Sequence, residues 1–175
     1  MNRTFRLLFV GMFSLILISS LSSKAQEHGT SNWRTFLQGL TGTWELTGSM
    51  GSLELHQRCK GRWVLQNNFF QMNCEAVPPD TSGYRSIYII GYHSEKHHYI
   101  FHLFDTFGGN YSETLGFGKR KNDRIPFEFD YPEAPFQNIF IWNEKKQEWK
   151  MILKQKDQGN KWVVFAEKTL RKRSN

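Results

Sequence analysis

The sequence lacks the residue patterns on which many common sites are built. It has only two cysteines and no Cys-x-x-Cys pair, so a zinc site built on such pairs is excluded. It has no Gly-x-Ser-x-Gly segment and no glycine-rich loop that leads into a helix, which leaves nucleophilic and nucleotide-binding chemistries without a basis. After residue 25, no apolar run is long enough to span a membrane.

The first 25 residues have the form of a secretory signal peptide. Two arginines precede an apolar run from Leu7 to Leu21, and Ser23-Lys24-Ala25 places small residues at the two positions that a signal peptidase reads. The run is shorter than the roughly 20 apolar residues of a membrane-spanning helix, and serines interrupt it. We therefore predict cleavage before Gln26, export to the periplasm or the medium, and one domain over residues 26–175.

The mature chain predicted in this way carries only a mild positive charge. It retains 20 Lys and Arg against 16 Asp and Glu, a net charge near +4. The basic residues are dispersed, apart from Lys119-Arg120-Lys121 and Arg171-Lys172-Arg173, whose positions indicate a loop and a tail. A charge this small and scattered does not favour nucleic acid as a partner.

The two cysteines predict a disulfide and the register of one hairpin. The midpoint between Cys59 and Cys74 falls between Gln66 and Asn67, inside the polar turn candidate Gln66-Asn67-Asn68, so a hairpin centred there places the two cysteines directly opposite each other. A turn on Asn67-Asn68 alone would shift this register. In an exported chain the oxidised pair is favoured over two free thiols, with a structural role. The same register gathers apolar side chains on one face: Leu53, Leu55, Trp63, Phe70 and Met72.

The remaining segments predict one short helix followed by strands. Ser31 to Leu40 has helical spacing, with its apolar residues on one side. From Gly42 onward apolar and polar residues alternate, as in Ile125 to Tyr131, and turn signals separate the segments. About nine or ten short-looped strands bury one face and remove exposed edges by closing. We predict an all-β, up-and-down antiparallel barrel with a short N-terminal helix, and a two-sheet sandwich is the alternative.

The start and end of the strand region resemble the lipocalin-like (calycin) superfamily. The residues that carry this resemblance are Gly42-Thr43-Trp44 after a short helix and Arg171 beyond the last strand. In that group the tryptophan closes the base of the barrel, and a late arginine packs across its ring. The resemblance therefore implies structural roles for Trp44 and Arg171.

A second resemblance extends over nearly the whole mature chain. Trp63 to Phe70, Ile90 to His93, Phe104 to Gly108 and Leu115 to Gly118 resemble successive blocks of an uncharacterised bacterial lipocalin-like family, a domain of unknown function. That family usually has glycines where Asn67-Asn68 stand here, and commonly an aspartate in place of His93. The resemblance implies a lipocalin-like barrel and transfers little chemistry.

The aromatic residues bear on what the barrel interior holds. Phe, Trp and Tyr make up 15 % of the chain. A barrel of this size is either filled by side chains or holds one small molecule. Inward rings would line a pocket for an apolar or aromatic ligand, or they would pack against each other. The candidate ligand contacts are Trp63, Phe70, Tyr99, Phe101, Phe129, Tyr131 and Trp149.

Few polar residues are candidates for chemistry. Four histidines fall between positions 93 and 102, but strand geometry separates His98 from His102 by about 13 Å, so we predict no metal site. Haem-holding relatives of the barrel use a late histidine, and this chain has none after His102, so no cofactor is predicted. His102, expected to point inward, and the carboxylates Asp105 and Glu113 are weak candidates for acid–base work.

Three functions follow from a barrel of this kind. A carrier of a small apolar or aromatic molecule predicts an open, aromatic-lined cavity. A filled barrel that contacts proteins or serves the envelope predicts a solid interior and an exposed apolar patch. An enzyme that acts on a small ligand predicts a buried histidine or carboxylate facing a cavity. We rank the carrier first, although a fold by itself does not fix a function.

Overall fold

The alternation of apolar and polar residues produces ten strands in the computed structural model, which describes residues 33–173. The predicted signal peptide over residues 1–25 lies outside the described residues. A short helix, α1 (Trp33–Gln38), comes first. The strands are β1 (Gly42–Met50), β2 (Leu53–Val64), β3 (Phe69–Ala76), β4 (Arg85–His93), β5 (His98–Asp105), β6 (Gly116–Gly118), β7 (Arg124–Phe129), β8 (Phe136–Asn143), β9 (Glu148–Lys156) and β10 (Trp162–Lys172).

The strands close into a barrel in simple chain order. Each strand pairs antiparallel with the next, and β10 returns to pair with β1. Closure pairs the backbone groups that an open sheet would expose at its two edges. The predicted all-β, up-and-down antiparallel barrel with a short helix is therefore confirmed, and the two-sheet alternative is wrong.

Strand β7 shows how the sequence specifies the two faces of the barrel wall. Ile125, Phe127 and Phe129 are buried, whereas Arg124 and Glu128 are exposed. Successive side chains of a strand point to opposite faces, so the apolar series turns inward and the polar series meets solvent. The hydrophobic core of the molecule is the inner face of this single closed sheet.

The predicted cysteine hairpin is confirmed in its register and its bond. Cys59 lies opposite Cys74, and Trp63 lies opposite Phe70. A disulfide joins the two cysteines, whose Cα atoms are 4.1 Å apart, and both are buried. The connecting turn occupies residues 65–68, and three of its four residues have positive φ values of 50–64°. The bond links β2 to β3 within the core.

The two ends of the barrel differ. Neighbouring strands run in opposite directions, so their connections alternate between the ends. One end, called the closed end, carries α1 and the turns at 65–68, 94–97, 119–123 and 144–147. The other end, called the mouth, carries the connections at 51–52, 77–84, 106–115, 130–135 and 157–161.

Helix α1 and the turn after it seal the closed end. Leu37 and Leu40 are fully buried. The Trp33 ring stacks on Tyr92 with centroids 5.2 Å apart, and Phe36 lies edge-on to another buried ring with centroids 4.8 Å apart. A helix of six residues is not stable alone, so this packing holds it in place. The predicted apolar side of the helix is the side that contacts the barrel.

Trp44 forms the base of the barrel beneath this helix. Its ring is buried, and its indole Nε1 donates a hydrogen bond to the carbonyl oxygen of Leu40 at 2.9 Å. The cation over the ring is Lys172, with Nζ 5.6 Å from the ring centroid. Lys172 lies directly opposite Trp44 in the β1–β10 register, whereas Arg171 lies opposite Glu45.

The contact implied for Arg171 by the resemblance is therefore corrected. Adjacent residues of a strand point to opposite faces, and Lys172 occupies the face that Trp44 shares. Arg171 instead forms an ion pair with Glu148, with a nitrogen–oxygen distance of 3.0 Å. The Glu148 side chain is buried and Arg171 is largely exposed, so this pair joins β9 to β10 at the closed end.

Replacement of Trp44 by alanine tests the role of this base. We expect Trp44→Ala to lower the free energy of unfolding by about 3–5 kcal/mol, because it empties a large buried volume and removes an indole hydrogen bond. Urea denaturation followed by circular dichroism measures the change. Trp162→Ala, at a partly exposed tryptophan of β10, is the control and should cost below about 1 kcal/mol. Equal losses in the two variants would contradict the assignment.

Gly61 provides a second test of the sealed end. A Cβ atom at this position would lie 2.2 Å from the Leu40 carbonyl oxygen and 2.7 Å from the Phe70 ring. We expect Gly61→Ala to destabilise the protein by about 1–3 kcal/mol through overpacking. Gly109→Ala is the matched control, since no atom lies within 4 Å of a Cβ built there. Thermal denaturation of both variants measures the change. An unchanged midpoint for Gly61→Ala would contradict the prediction, because it would show that Leu40 and Phe70 move aside at little cost in free energy.

Candidate functional site

The middle of the barrel is filled with aromatic side chains. The Phe101 ring lies 4.9 Å from Phe127, 5.6 Å from Phe140 and 5.3 Å from Tyr88, all in edge-to-face arrangements. All four rings are buried. Rings packed in this geometry stabilise each other beyond the burial of their area. This part of the interior is therefore solid.

A cavity of about 600 Å³ opens above this packed layer, at the mouth. A volume of this size is typical of small-molecule sites. Aromatic side chains from several elements line it: Tyr84, Phe107, Tyr111, Tyr131, Phe136 and Phe165. Met50, Leu103, Ala134 and Leu153 complete the apolar wall, and Asp105, Asn110, Glu133 and Gln155 contribute polar groups.

The loop over residues 106–115 is fixed to the cavity wall by Asp105. One Asp105 oxygen accepts a hydrogen bond from the Phe107 amide at 2.9 Å, and the other accepts one from the Tyr84 hydroxyl at 3.1 Å. The Tyr131 hydroxyl donates to the carbonyl oxygen of Tyr111 at 2.6 Å and so holds the far side of the loop. These bonds place Phe107 and Tyr111 beside the cavity.

The phenols at this site are neutral hydrogen-bond donors at physiological pH. Burial raises the pKa of Tyr84, and the neighbouring Tyr88 and Asp105 raise it further. Burial also raises the pKa of Tyr131, with the negative charges of Asp105 and Glu113 acting in the same direction. Both hydroxyls therefore keep their protons and their hydrogen bonds across the range in which proteins work.

Polar residues cluster in the interior around Tyr84. Gln57 is fully buried, and its Nε2 donates to the Tyr84 carbonyl oxygen at 2.8 Å. Lys168 is 2 % exposed, and its Nζ lies 5.2 Å from the centroid of the Tyr84 ring. Within the described residues, four buried side-chain atoms have no hydrogen-bond partner: Gln57 Oε1 and Ser86 Oγ beside Tyr84, Asn138 Oδ1 on β8 and Trp149 Nε1 on β9. Such groups are rare in protein interiors, and an ordered water, an ion or a bound molecule can satisfy them.

Sequence reasoning missed this polar cluster, although the alternation pattern contains it. Gln57 lies between Leu55 and Cys59 on the buried series of β2, and Lys168 lies between Ala166 and Leu170 on that of β10. Polar residues on the buried series of a strand are the exceptions that point to function. The alternation in the sequence shows that both residues belong to the inward series. Their approach to Tyr84 depends on closure of the barrel.

The predicted ligand contacts are divided between the cavity and the packed regions. Tyr131 lines the cavity. Phe70, Phe101 and Phe129 belong to the buried core, and Trp63, Tyr99 and Trp149 lie towards the closed end. The rings were expected either to line a pocket or to pack against each other, and most of them pack.

The inward orientation expected for His102 is wrong. Phe101 and Leu103 occupy the inward positions of β5, so His102 between them lies on the outer face. Its Nε2 lies 2.6 Å from the Ser112 carbonyl oxygen. Of the two candidate carboxylates, Asp105 lines the cavity and Glu113 is exposed in the loop beside it.

The histidines of the β4–β5 hairpin form a surface pair. His93 lies opposite His98 with ring centroids 5.7 Å apart, and His97 occupies the turn with a φ of 51°. Among residues 33–173, no group of three or more His, Cys, Asp or Glu side chains is placed to hold a metal ion. The pair lies at the closed end, away from the cavity.

Comparison with protein families and curated proteins gives no further information on the site. No protein-family model matches the chain, and no curated protein matches it. In the part of the chain that the structure describes, no helix has the length and apolar character needed to cross a membrane.

Tyr99 predicts a stability change at alkaline pH. Its hydroxyl donates to the Trp33 carbonyl oxygen at 2.8 Å, and burial raises the pKa of the phenol to about 12. The unfolded chain loses this proton near pH 10 and the folded protein holds it to about pH 12. We therefore expect the free energy of unfolding to fall as the pH rises through this interval.

Tyr99→Phe should reduce the decrease of the free energy of unfolding with rising pH, because the variant lacks the titrating phenol. Guanidinium titrations of the wild-type protein and the variant at a series of pH values measure it. Below about pH 9 the two proteins should differ by a constant amount. Parallel curves at higher pH would contradict the assignment.

Proposed function

We propose that the protein is an exported carrier of a small apolar or aromatic molecule, held in the cavity at the mouth. The observation that carries this proposal is the cavity of about 600 Å³ with six aromatic side chains in its wall. A pocket of this kind, with a few polar groups among apolar ones, is typical of sites that enclose a small molecule. The packed middle layer limits how deep the body of the ligand reaches.

The asymmetry of the barrel supports the carrier proposal. A barrel that serves only as a scaffold is stabilised by filling its interior throughout, because each unfilled volume loses packing energy. Here the closed end and the middle are filled by large side chains, and the mouth is open. The hydrogen bonds of Asp105 and Tyr131 hold the wall of that opening in shape, which reduces the ordering cost of binding.

A second candidate function is contact with another protein through the outer face of the barrel. Ile87 and Phe104 lie directly opposite each other on β4 and β5, and they are 41 % and 39 % exposed. Phe117 is also exposed, on β6 beside β5. Exposed apolar patches of this kind mark interaction surfaces. This candidate ranks second because the patch lies away from the buried polar cluster.

Export and membership of the lipocalin-like superfamily are parts of the same proposal. A disulfide in the core favours a protein that folds outside the reducing cytoplasm. Three features support membership of the superfamily: a short helix before strand one, a buried Trp44 at the base and a cation over its ring. The mass of the denatured mature protein tests cleavage before Gln26.

Filling the cavity tests the carrier proposal. We expect the wild-type protein to bind phenylnaphthylamine, a neutral aromatic probe that fluoresces in apolar surroundings. Leu103→Trp, which enlarges a side chain of the cavity wall, should weaken this binding at least about tenfold. Phe104→Trp is the matched control, because the next residue of the same strand faces outward and should leave binding unchanged. Equal affinity in all three proteins, or no binding to any, would overturn the proposal.

A further inference from the structure

Lys168 lies directly beneath the wall of the cavity. Ala166, two residues earlier on the same face of β10, lies opposite Met50 on one side and Leu153 on the other. Met50 and Leu153 both line the cavity. Lys168 is therefore the next inward residue towards the packed middle, and it is 2 % exposed.

The ammonium of Lys168 forms no ion pair with a carboxylate in the part of the chain that the structure describes. Three ion pairs join the described residues, and none of them includes Lys168. Burial of an ammonium group is costly unless an anion and hydrogen bonds compensate it. The face of the Tyr84 ring, 5.2 Å from Nζ, supplies a cation–π contact, which compensates only in part.

Tyr84 connects the lysine to the cavity. Its ring is in the cavity wall and is also the ring that Lys168 approaches. The Gln57 amide fixes the backbone of Tyr84 and the Asp105 carboxylate fixes its hydroxyl. Ser86, two residues further along, is 2 % exposed and lies opposite Asp105, and its hydroxyl has no partner among the described residues. Lys168 and Ser86 therefore place an ammonium and a hydroxyl, both of which donate hydrogen bonds, beside Tyr84 and behind the cavity wall.

Two carboxylates of the cavity wall, Asp105 and Glu133, are negative groups that such a site must tolerate. Glu133 is exposed at the mouth, where water solvates its charge. Both oxygens of Asp105 accept hydrogen bonds from protein groups, so its charge is directed into the wall. On the inward series of β10, the buried charged group next to Ala166 is the cation of Lys168. An anion seated there would gain charge-assisted hydrogen bonds in surroundings of low polarity.

On the basis of the proposed carrier function, we infer that the ligand is an amphipathic organic anion. Its apolar or aromatic body lies in the mouth cavity, and its carboxylate, sulfonate or similar head group lies at the floor against Lys168. The head group supplies the ion-pair partner that Lys168 lacks among the described residues, and the Ser86 hydroxyl donates a hydrogen bond to it. The apolar wall gives affinity for the body, and Lys168 gives selectivity for the charge.

A pair of probes with the same rings separates these two contributions. Anilinonaphthalene sulfonate is an anion, and phenylnaphthylamine is its neutral analogue without the sulfonate. Both are titrated by fluorescence into the wild-type protein, Lys168→Met and Lys172→Met. Lys172 is the matched control, because it lies on the same strand and also has its Nζ over an aromatic ring, but at the closed end.

The wild-type protein should bind the anion at least about tenfold more tightly than the neutral probe. Lys168→Met should abolish that preference while phenylnaphthylamine binds as before, and Lys172→Met should preserve it. Unchanged binding of the neutral probe also shows that the cavity of Lys168→Met is intact. Displacement of bound phenylnaphthylamine should give the same result. Dodecanoate should displace the probe more effectively than dodecanol from the wild-type protein and from Lys172→Met, but not from Lys168→Met.

The alternative outcomes are distinct. Equal affinity for the two probes, or a preference that survives in Lys168→Met, would overturn the anionic head group and leave the carrier proposal standing. A preference that is lost equally in Lys172→Met would assign it to general surface charge, and would also overturn the inference. Failure of both probes to bind the wild-type protein would overturn the carrier function itself.

Discussion

The pairing of β1 with β10 is the constraint on which the rest of the structure depends. It runs from Trp44 opposite Lys172 to Met50 opposite Ala166, and it converts a meander of strands into a closed wall. Once the wall is closed, the alternation along each strand decides whether a side chain is inside or outside. A polar residue on the inward series then has no route to solvent except through an end of the barrel. Closure therefore keeps water away from the charge of Lys168 and imposes a desolvation cost on it.

The ends determine what a closed wall can do, and here they are built differently. At the closed end, the helix, its following turn and Trp44 are held by specific contacts, such as the indole hydrogen bond to Leu40 and the close approach of Gly61. At the mouth, longer connections are held by polar bonds through Asp105 and Tyr131 and leave a volume between them. Aromatic rings fill the closed end and the middle of the interior, and at the mouth they line the cavity.

Local patterns predicted the strands, the helix and the disulfide register, because each depends on residues close in sequence. Closure was predicted because consecutive short-looped strands must remove their exposed edges. The midpoint between Cys59 and Cys74 fixed their hairpin, and alternation identified the strands. The site was predictable only in part, since the filled and the open portions differ in the packing of distant strands. The inward position expected for His102 is wrong because its neighbours Phe101 and Leu103 form the apolar series that identifies the inner face of β5.

Two lysines on one strand show how position changes the role of the same chemical group. Lys172 and Lys168 both lie near an aromatic ring, at 5.6 and 5.2 Å. Lys172 is exposed, so water solvates its charge and the contact with Trp44 adds a small stabilisation. Lys168 is buried and has lost that solvation, so its charge carries a desolvation cost that a bound anion would offset. A fold that retains such a residue is less stable without a partner than one with an apolar residue there. The cost is consistent with selection for binding, because sites that recognise charge are assembled at the expense of the unbound state.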